Sequence, residues 1–284
     1  MSVALQSAAR EPAARDFVHG PATRHAEALR DLRETGLLWR LCWTLGWLDI
    51  KLRYRGSVLG PFWLTLSTAI MVGAMGVVYA TLFKMNLRDY LPFLALSIVL
   101  WNFLSALVSD ACVGYTSSEA MIRSVRMPFI LYAARIVLRN VLILGHNLLV
   151  IVAVFALLST WPGFAAVLTL PGFALWLVDG LALTTILGAL GARFRDIPPI
   201  VVSMLQMAFF VTPVIWKPEL AGAKLQWLLP INPFFALLEC VRGPLLGKIP
   251  SAAVYGSALA YSVLLWAAAW FLFARVRGRI AFWV

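Results

Sequence analysis

The sequence predicts an all-α polytopic membrane protein. It has six transmembrane helices, an interfacial amphipathic helix before the first, and two short helices before the last. Apolar residues make up 62% of the 284 and charged ones only 13%, about half the charged share of a soluble domain. Apolar runs of about 20 residues, each able to cross a hydrocarbon core of about 30 Å, recur along the chain. Cations gather beside those runs rather than within them.

Residues 1–36 mix Arg, Glu, Ala and Pro with little hydrophobic pattern and lack the apolar core of a signal peptide. They read as a flexible or partly helical cytoplasmic arm, which leaves 37–284 as one membrane domain. In LLWRLCWTLGWLDI, Trp39, Trp43 and Trp47 recur every fourth residue and share one stripe of a helix, widened by Leu38, Leu41, Leu45 and Leu48. The run is too short to span. Tryptophan favours the headgroup zone, so residues 37–48 are expected to lie in the membrane plane or, as the alternative, to pack on protein. Lys51, Arg53 and Arg55 follow, and Gly60-Pro61 then breaks the chain into the first span.

The expected spans are 62–83, 91–112, 141–158, 168–189, 200–216 and 254–273. The third is short and has room to begin near Phe129; the fifth carries Pro213, where a bend is expected. Between the second and third, Ser117 or Ser118 is placed to cap a short helix over 118–125. Glu119 sits at its positive end, Pro128 stops it, and it presents Arg123 and Arg126. Such a knob suits transmission of a push from a separate motor, and equally a plain connecting turn.

Before the last span, five prolines forbid a single crossing between 217 and 250. Asn232-Pro233 reads as a helix start and Gly243-Pro244 as a stop. Two short helices, 220–229 and 233–242, are therefore expected in the outer leaflet, with Glu239 and Arg242 paired three residues apart.

Charge orients the chain. Nine Lys/Arg precede Phe62, four lie between 113 and 140, two in ARFRD and three in RVRGR, making 18 of the 24 on the side of both termini. Cation excess in short loops marks the cytoplasm. Lys51, Arg53 and Arg55 are thus anchors to anionic headgroups, and the net charge of +11 is a topology signal. Nucleic acid is excluded as a partner because no soluble basic groove or module is present.

Reaction chemistry is absent from the pattern. GPLLGK, at 243–248, has three residues between its glycines, not four, and Ile249 stands where a phosphate loop needs Ser or Thr. Cys42, Cys112 and Cys240 lack metal-ligand spacing, and no metal site is expected. His146 and Asp179 fall inside spans, where ionisable groups either line a path or bond between helices. Aromatic rings match the apolar C–H faces of sugars, so Phe209 and Phe210 suit either a glycan path or ordinary packing.

DIKLRYRGSVLGPFWLTLS, LGARFRDIPPIVVSMLQMAFFVTPVIW and LLPINPFFALLECVRGPLLG, in this order, resemble the membrane subunit of ABC-2 type polysaccharide exporters, above all the O-antigen permeases. The resemblance runs from about Leu37 to the end. It implies a homodimer of six-span subunits with two separate ATP-binding cassette subunits, in the bacterial inner membrane. The pair would export a glycan on undecaprenyl pyrophosphate to the periplasm. Cofactors are implied only in the partner, which would hold ATP and Mg. It further implies an interfacial helix at 37–48 and a coupling helix whose Ser118, Glu119, Arg123 and Arg126 meet the ATPase. Periplasmic gate helices over 220–242 would carry Asn232, Pro233, Glu239 and Arg242. A glycan path would be lined by Trp63, Tyr79, Phe209, Phe210 and Trp216. Lys51, Arg53 and Arg55 are then candidates to meet the pyrophosphate. Permeases for teichoic acid, capsule or a small amphiphile are the nearest alternatives. A membrane enzyme on lipid-linked sugars would need a carboxylate or His cluster, and Asp110, Asp179 and His146 are dispersed. A cation channel would need more intramembrane charge.

Overall fold

A computed structural model describes residues 21–56, 60 and 62–284. Residues 1–20 of the expected arm and Pro61 of the expected break lie outside the described residues. Among the described residues every regular element is helical. In order they are α1 (Pro21–Leu37), α2 (Trp39–Arg53), α3 (Phe62–Leu82), α4 (Leu87–Cys112), α5 (Glu119–Ser124) and α6 (Phe129–Leu158). There follow α7 (Thr169–Arg193), α8 (Ile197–Val211), α9 (Ala223–Leu228), α10 (Pro233–Leu245) and α11 (Ala252–Trp283), with short 3-10 turns between some of them.

Five helices are long and apolar enough to cross a membrane: α3, α4, α6, α7 with its lead-in from Phe164, and α11. The third expected span takes the longer of its two readings and starts at Phe129. The fifth departs from expectation. Helix α8 has 15 residues, about 22 Å of rise, short of the roughly 30 Å of a hydrocarbon core. The reason is local. Pro213 disfavours helical backbone at the residue before it, and Thr212 is extended, with φ −83° and ψ 137°. The helix therefore ends where a bend was expected, and the chain runs on without regular structure through Trp216.

Helix α4 is the centre of the bundle. Leu94, Ala95, Leu96 and Val99 are fully buried, and the core around them takes in Val137, Leu144, Val150, Trp176 and Leu238 from α6, α7 and α10. Small residues let the backbones approach: a Cβ added at Gly191 of α7 would lie 1.8 Å from the carbonyl oxygen of Cys112. Helix α3 is the most exposed of the five.

Polar pins mark the two ends. At the α5 end, Asp49 of α2 accepts from Arg135 Nε of α6 at 2.7 Å, and Arg139 pairs with Asp110 of α4 at 2.7 Å. Arg193 of α7 lies over the Trp283 ring of α11 at the same end. At the opposite end Arg88 donates to the Leu158 carbonyl at 3.2 Å and Tyr90 to that of Ile215 at 2.6 Å. Helix α2 packs on protein through one of its faces. Cys42, Gly46 and Ile50 form the buried stripe that packs on α6, while Trp39, Trp43 and Trp47 are exposed on another face.

Other boundaries moved for identifiable reasons. The expected serine cap of α5 does not form. Ser117 and Ser118 sit at a 3-10 turn, and both hydroxyls donate back to the Gly114 carbonyl, at 3.2 and 3.0 Å, a local bond that competes with capping. The expected helix over 220–229 shrinks to the six residues of α9. Helix α10 runs through the expected Gly243-Pro244 stop. Gly247, at φ +73°, ends it instead: its N–H bonds the Pro244 carbonyl at 3.1 Å and that of Lys248 the Gly243 carbonyl at 2.9 Å, the paired bonds of a left-handed glycine terminus.

Candidate functional site

A continuous polar construction surrounds the non-helical stretch after α8. Asn232 stands just before α10 in extended conformation, and its Oδ1 accepts the N–H groups of Phe234 and Phe235 at 3.0 and 3.3 Å. That is the cap expected from the Asn-Pro start. Its Nδ2 also donates to Thr212 Oγ1 at 2.9 Å. Nearly three turns on, Arg242 has no exposed surface at all. Its Nε donates to Glu239 at 3.0 Å, as the three-residue spacing foretold, and its Nη1 to Ser97 Oγ at 2.8 Å and the Pro213 carbonyl at 2.5 Å. The guanidinium carbon lies 4.5 Å from the centre of the Phe93 ring. A buried cation needs a counter-charge and satisfied donors, and Arg242 has both.

Helix α10 thus holds the break from both sides, through Thr212 and through Pro213. Helix α7 holds α10 in turn: Trp176 Nε1 donates to the Leu237 carbonyl at 3.0 Å and Thr169 to that of Val241 at 3.2 Å. Lys217 closes the outer edge, donating to the Asp89 carbonyl at 3.0 Å. Burial holds the Lys217 ammonium below the usual lysine range, against Glu219, which raises it. Ser97, Tyr90, Phe93 and the Pro213 carbonyl were missed as site residues. The Thr-Pro pair was their signal, because a helix that ends at the residue before a proline leaves the carbonyls beyond it in need of other donors.

At the α5 end the expected basic residues are on the surface. Lys51, Arg53 and Arg55 are exposed where α2 ends, and among the described residues no carboxylate pairs with them. Arg123 and Arg126 are exposed as well. Glu119 pairs with Arg123 at 2.8 Å, and Arg123 also donates to the main-chain oxygen of Val284 at 2.7 Å.

The aromatic candidates divide. Phe209 packs on Trp101 with ring centres 5.6 Å apart and on Phe210, itself 70% exposed. Trp216 joins them by donating to the Phe210 carbonyl at 3.2 Å. Trp63 is 56% exposed near the α5 end, and Tyr79 stacks on Phe83; no ring contact joins either to the trio among the described residues. Asp179 is buried with Ser262 of α11 as its hydrogen-bond partner, and His146 bonds the Leu142 carbonyl in its own helix. Each therefore bonds within the helix bundle, and among the described residues no cluster of three metal-ligating side chains occurs.

Long apolar helices with an exposed basic knob at one end and a clamped helix break at the other define a polytopic α-helical membrane protein. Comparison narrows the class. Residues 40–246 match the ABC-2 type transporter family, and the chain belongs to that family, whose members are transport subunits. It is similar to the O-antigen export system permease protein RfbA of Myxococcus xanthus, with 26% identity over 227 residues that make up 78% of this chain and 86% of the relative. A protein of the same name from Klebsiella pneumoniae is 21% identical over 195 residues, 67% of this chain and 74% of its own length.

Proposed function

We propose that this chain is the membrane permease of an ATP-driven exporter of lipid-linked O-antigen polysaccharide. The observation that carries the reading is the likeness to two proteins named O-antigen export permeases, over 78% and 67% of this chain. Those relatives favour O-antigen over teichoic acid, capsule or a small amphiphile, and the family favours transport over an enzyme of lipid-linked sugars.

In this reading the chain works as a homodimer in the bacterial inner membrane, with both termini cytoplasmic. The placement of 18 of 24 cations supports the orientation, and the pairing of Asp31 on α1 with Arg277 near the C-terminal end of α11 supports a shared side. Six passes result if α8 and the non-helical 212–216 together make the fifth. Two ATP-binding cassette subunits meet α5 through Ser118, Glu119, Arg123 and Arg126, and they hold the ATP and Mg. Lys51, Arg53 and Arg55 attract the undecaprenyl pyrophosphate headgroup. Phe209, Phe210 and Trp216, with Trp63 and Tyr79, offer flat apolar faces to the glycan. Helices α9 and α10, with Asn232, Pro233, Glu239 and Arg242, form the periplasmic gate.

The test is purification of the tagged chain from cells making O-antigen. An ATPase with a phosphate loop should travel with it, and glycan-lipid should stimulate ATP hydrolysis. Glycan transport by the chain without such a companion would overturn the reading.

A further inference from the structure

Helices α1 and α11 lie outside the residues matched to the family, yet they grip one another. On α1, Ala28, Asp31 and Thr35 form a buried stripe at helical spacing. A carboxylate within such a stripe is costly unless it is paired and hydrogen-bonded. Asp31 is 1% exposed and uses both oxygens. Oδ1 accepts from Arg277 Nη2 of α11 at 2.7 Å, and Oδ2 accepts the backbone N–H of Phe129 at 3.1 Å. Glu27, one turn earlier, accepts from Arg277 Nη1 at 3.1 Å.

Phe129 is the first residue of α6, directly downstream of α5 and Pro128. The first N–H groups of a helix have no partner within it, and Pro128, in the cap position, has no side-chain acceptor to offer. Asp31 supplies one from another helix, with its charge at the positive end of α6. A second tie runs from α5 itself, because Arg123 donates to Val284 just beyond α11. Helix α11 has 32 residues, about 48 Å of rise. Beyond its midpoint Tyr261 donates to the Ile231 carbonyl, and its outer half packs against α10.

We infer that α1 is a strap tying the start of α6, next to α5, to α11, so that a displacement of α5 is delivered along α11 to α10 as well as through α4 and α6. Asp31 is the positioning residue at its centre. The inference rests on the proposed reading that α5 receives the stroke of an ATPase. The route is a contiguous series of ion pairs, a capped helix and one long rigid element, the physical means by which distant sites are coupled.

The experiment uses the full chain in complex with its ATPase and measures glycan exported per ATP hydrolysed, at equal amounts of assembled complex. Asp31→Asn keeps the shape and loses the charge. Assembly and glycan-stimulated hydrolysis should persist while export per ATP falls about 3- to 30-fold, the size of effect seen along coupling routes. If Asp31 served only to hold the fold, export and hydrolysis would fall together and the ratio would stay at the wild-type value, which would overturn the strap. Arg277→Lys keeps the charge but loses the planar fork that spans Asp31 and Glu27, and should lower the same ratio less. Failure of both variants to accumulate would assign the cluster to folding and also overturn the proposal. A wild-type complex that exports nothing would instead defeat the functional reading, and the strap with it, before any variant is compared.

Discussion

Arg242 of α10 donates to the main-chain oxygen of Pro213, 2.5 Å away, so a buried cation sits where α8 ceases to be helical. The carbonyl has no helical partner because the chain leaves the helix at Thr212, and α10 supplies a donor. Removing the cation should therefore do more than remove a side chain. Arg242→Ala leaves the Glu239 carboxylate, Ser97 and the Pro213 carbonyl without their donor, and a loss of about 3–5 kcal/mol is expected for a broken buried pair. Thermal unfolding in detergent should show a large drop. Removing both charges with Glu239→Gln and Arg242→Met should recover part of it.

Asn232 does two things from one side chain, capping α10 and bonding Thr212. Asn232→Ala should cost about 1 kcal/mol for the cap alone, with faster amide exchange at Phe234 and Phe235. Unchanged exchange at those two amides would show that the cap contributes nothing.

Close packing of α7 on α4 depends on Gly191. A methyl group there would overlap the Cys112 carbonyl, so Gly191→Ala should destabilise by about 1–3 kcal/mol or more, as overpacked cores do. Gly256 on α11 meets nothing within 4 Å of an added Cβ. Gly256→Ala should be neutral or slightly stabilising, since glycine inside a helix costs about 0.5–1 kcal/mol relative to alanine. Equal melting temperatures for the two variants would refute the packing argument.

Charge reversal at Lys51, Arg53 and Arg55 tests whether the exposed cations at the end of α2 serve more than anchoring. With protein level and orientation held constant, export should fall. Unchanged export would confine the three to headgroup attraction.

The long spans could be read from the chain because run length and bilayer thickness are one-dimensional facts. The Asn232 cap and the Glu239–Arg242 pair were legible for the same reason, each being decided within four residues. What escaped was decided by distance. The partners of Asp31 lie 98 and 246 residues away, so its stripe reads as a polar arm. Tyr90 and Ile215 are 125 apart, and nothing near Pro213 shows that α4 and α10 would hold open backbone there. The serine cap and the Gly243 stop failed locally, each to a competing local geometry: a 3-10 turn in one case and a better-placed glycine in the other. The roles of the aromatic and basic residues depend on a glycan, a second copy and an ATPase, none of which a single chain's spacing encodes.

The two bonds that α10 makes to Thr212 and Pro213 flank one short piece of irregular backbone. That piece has exchanged self-sufficiency for dependence on a neighbour. Withdrawing α10 alone would strand a carbonyl and a hydroxyl in an apolar layer, so the cheaper motion keeps the two together. The end of the molecule remote from α5 should swing as a single unit, with its pivot at the last turn of α8 rather than at the start of α10.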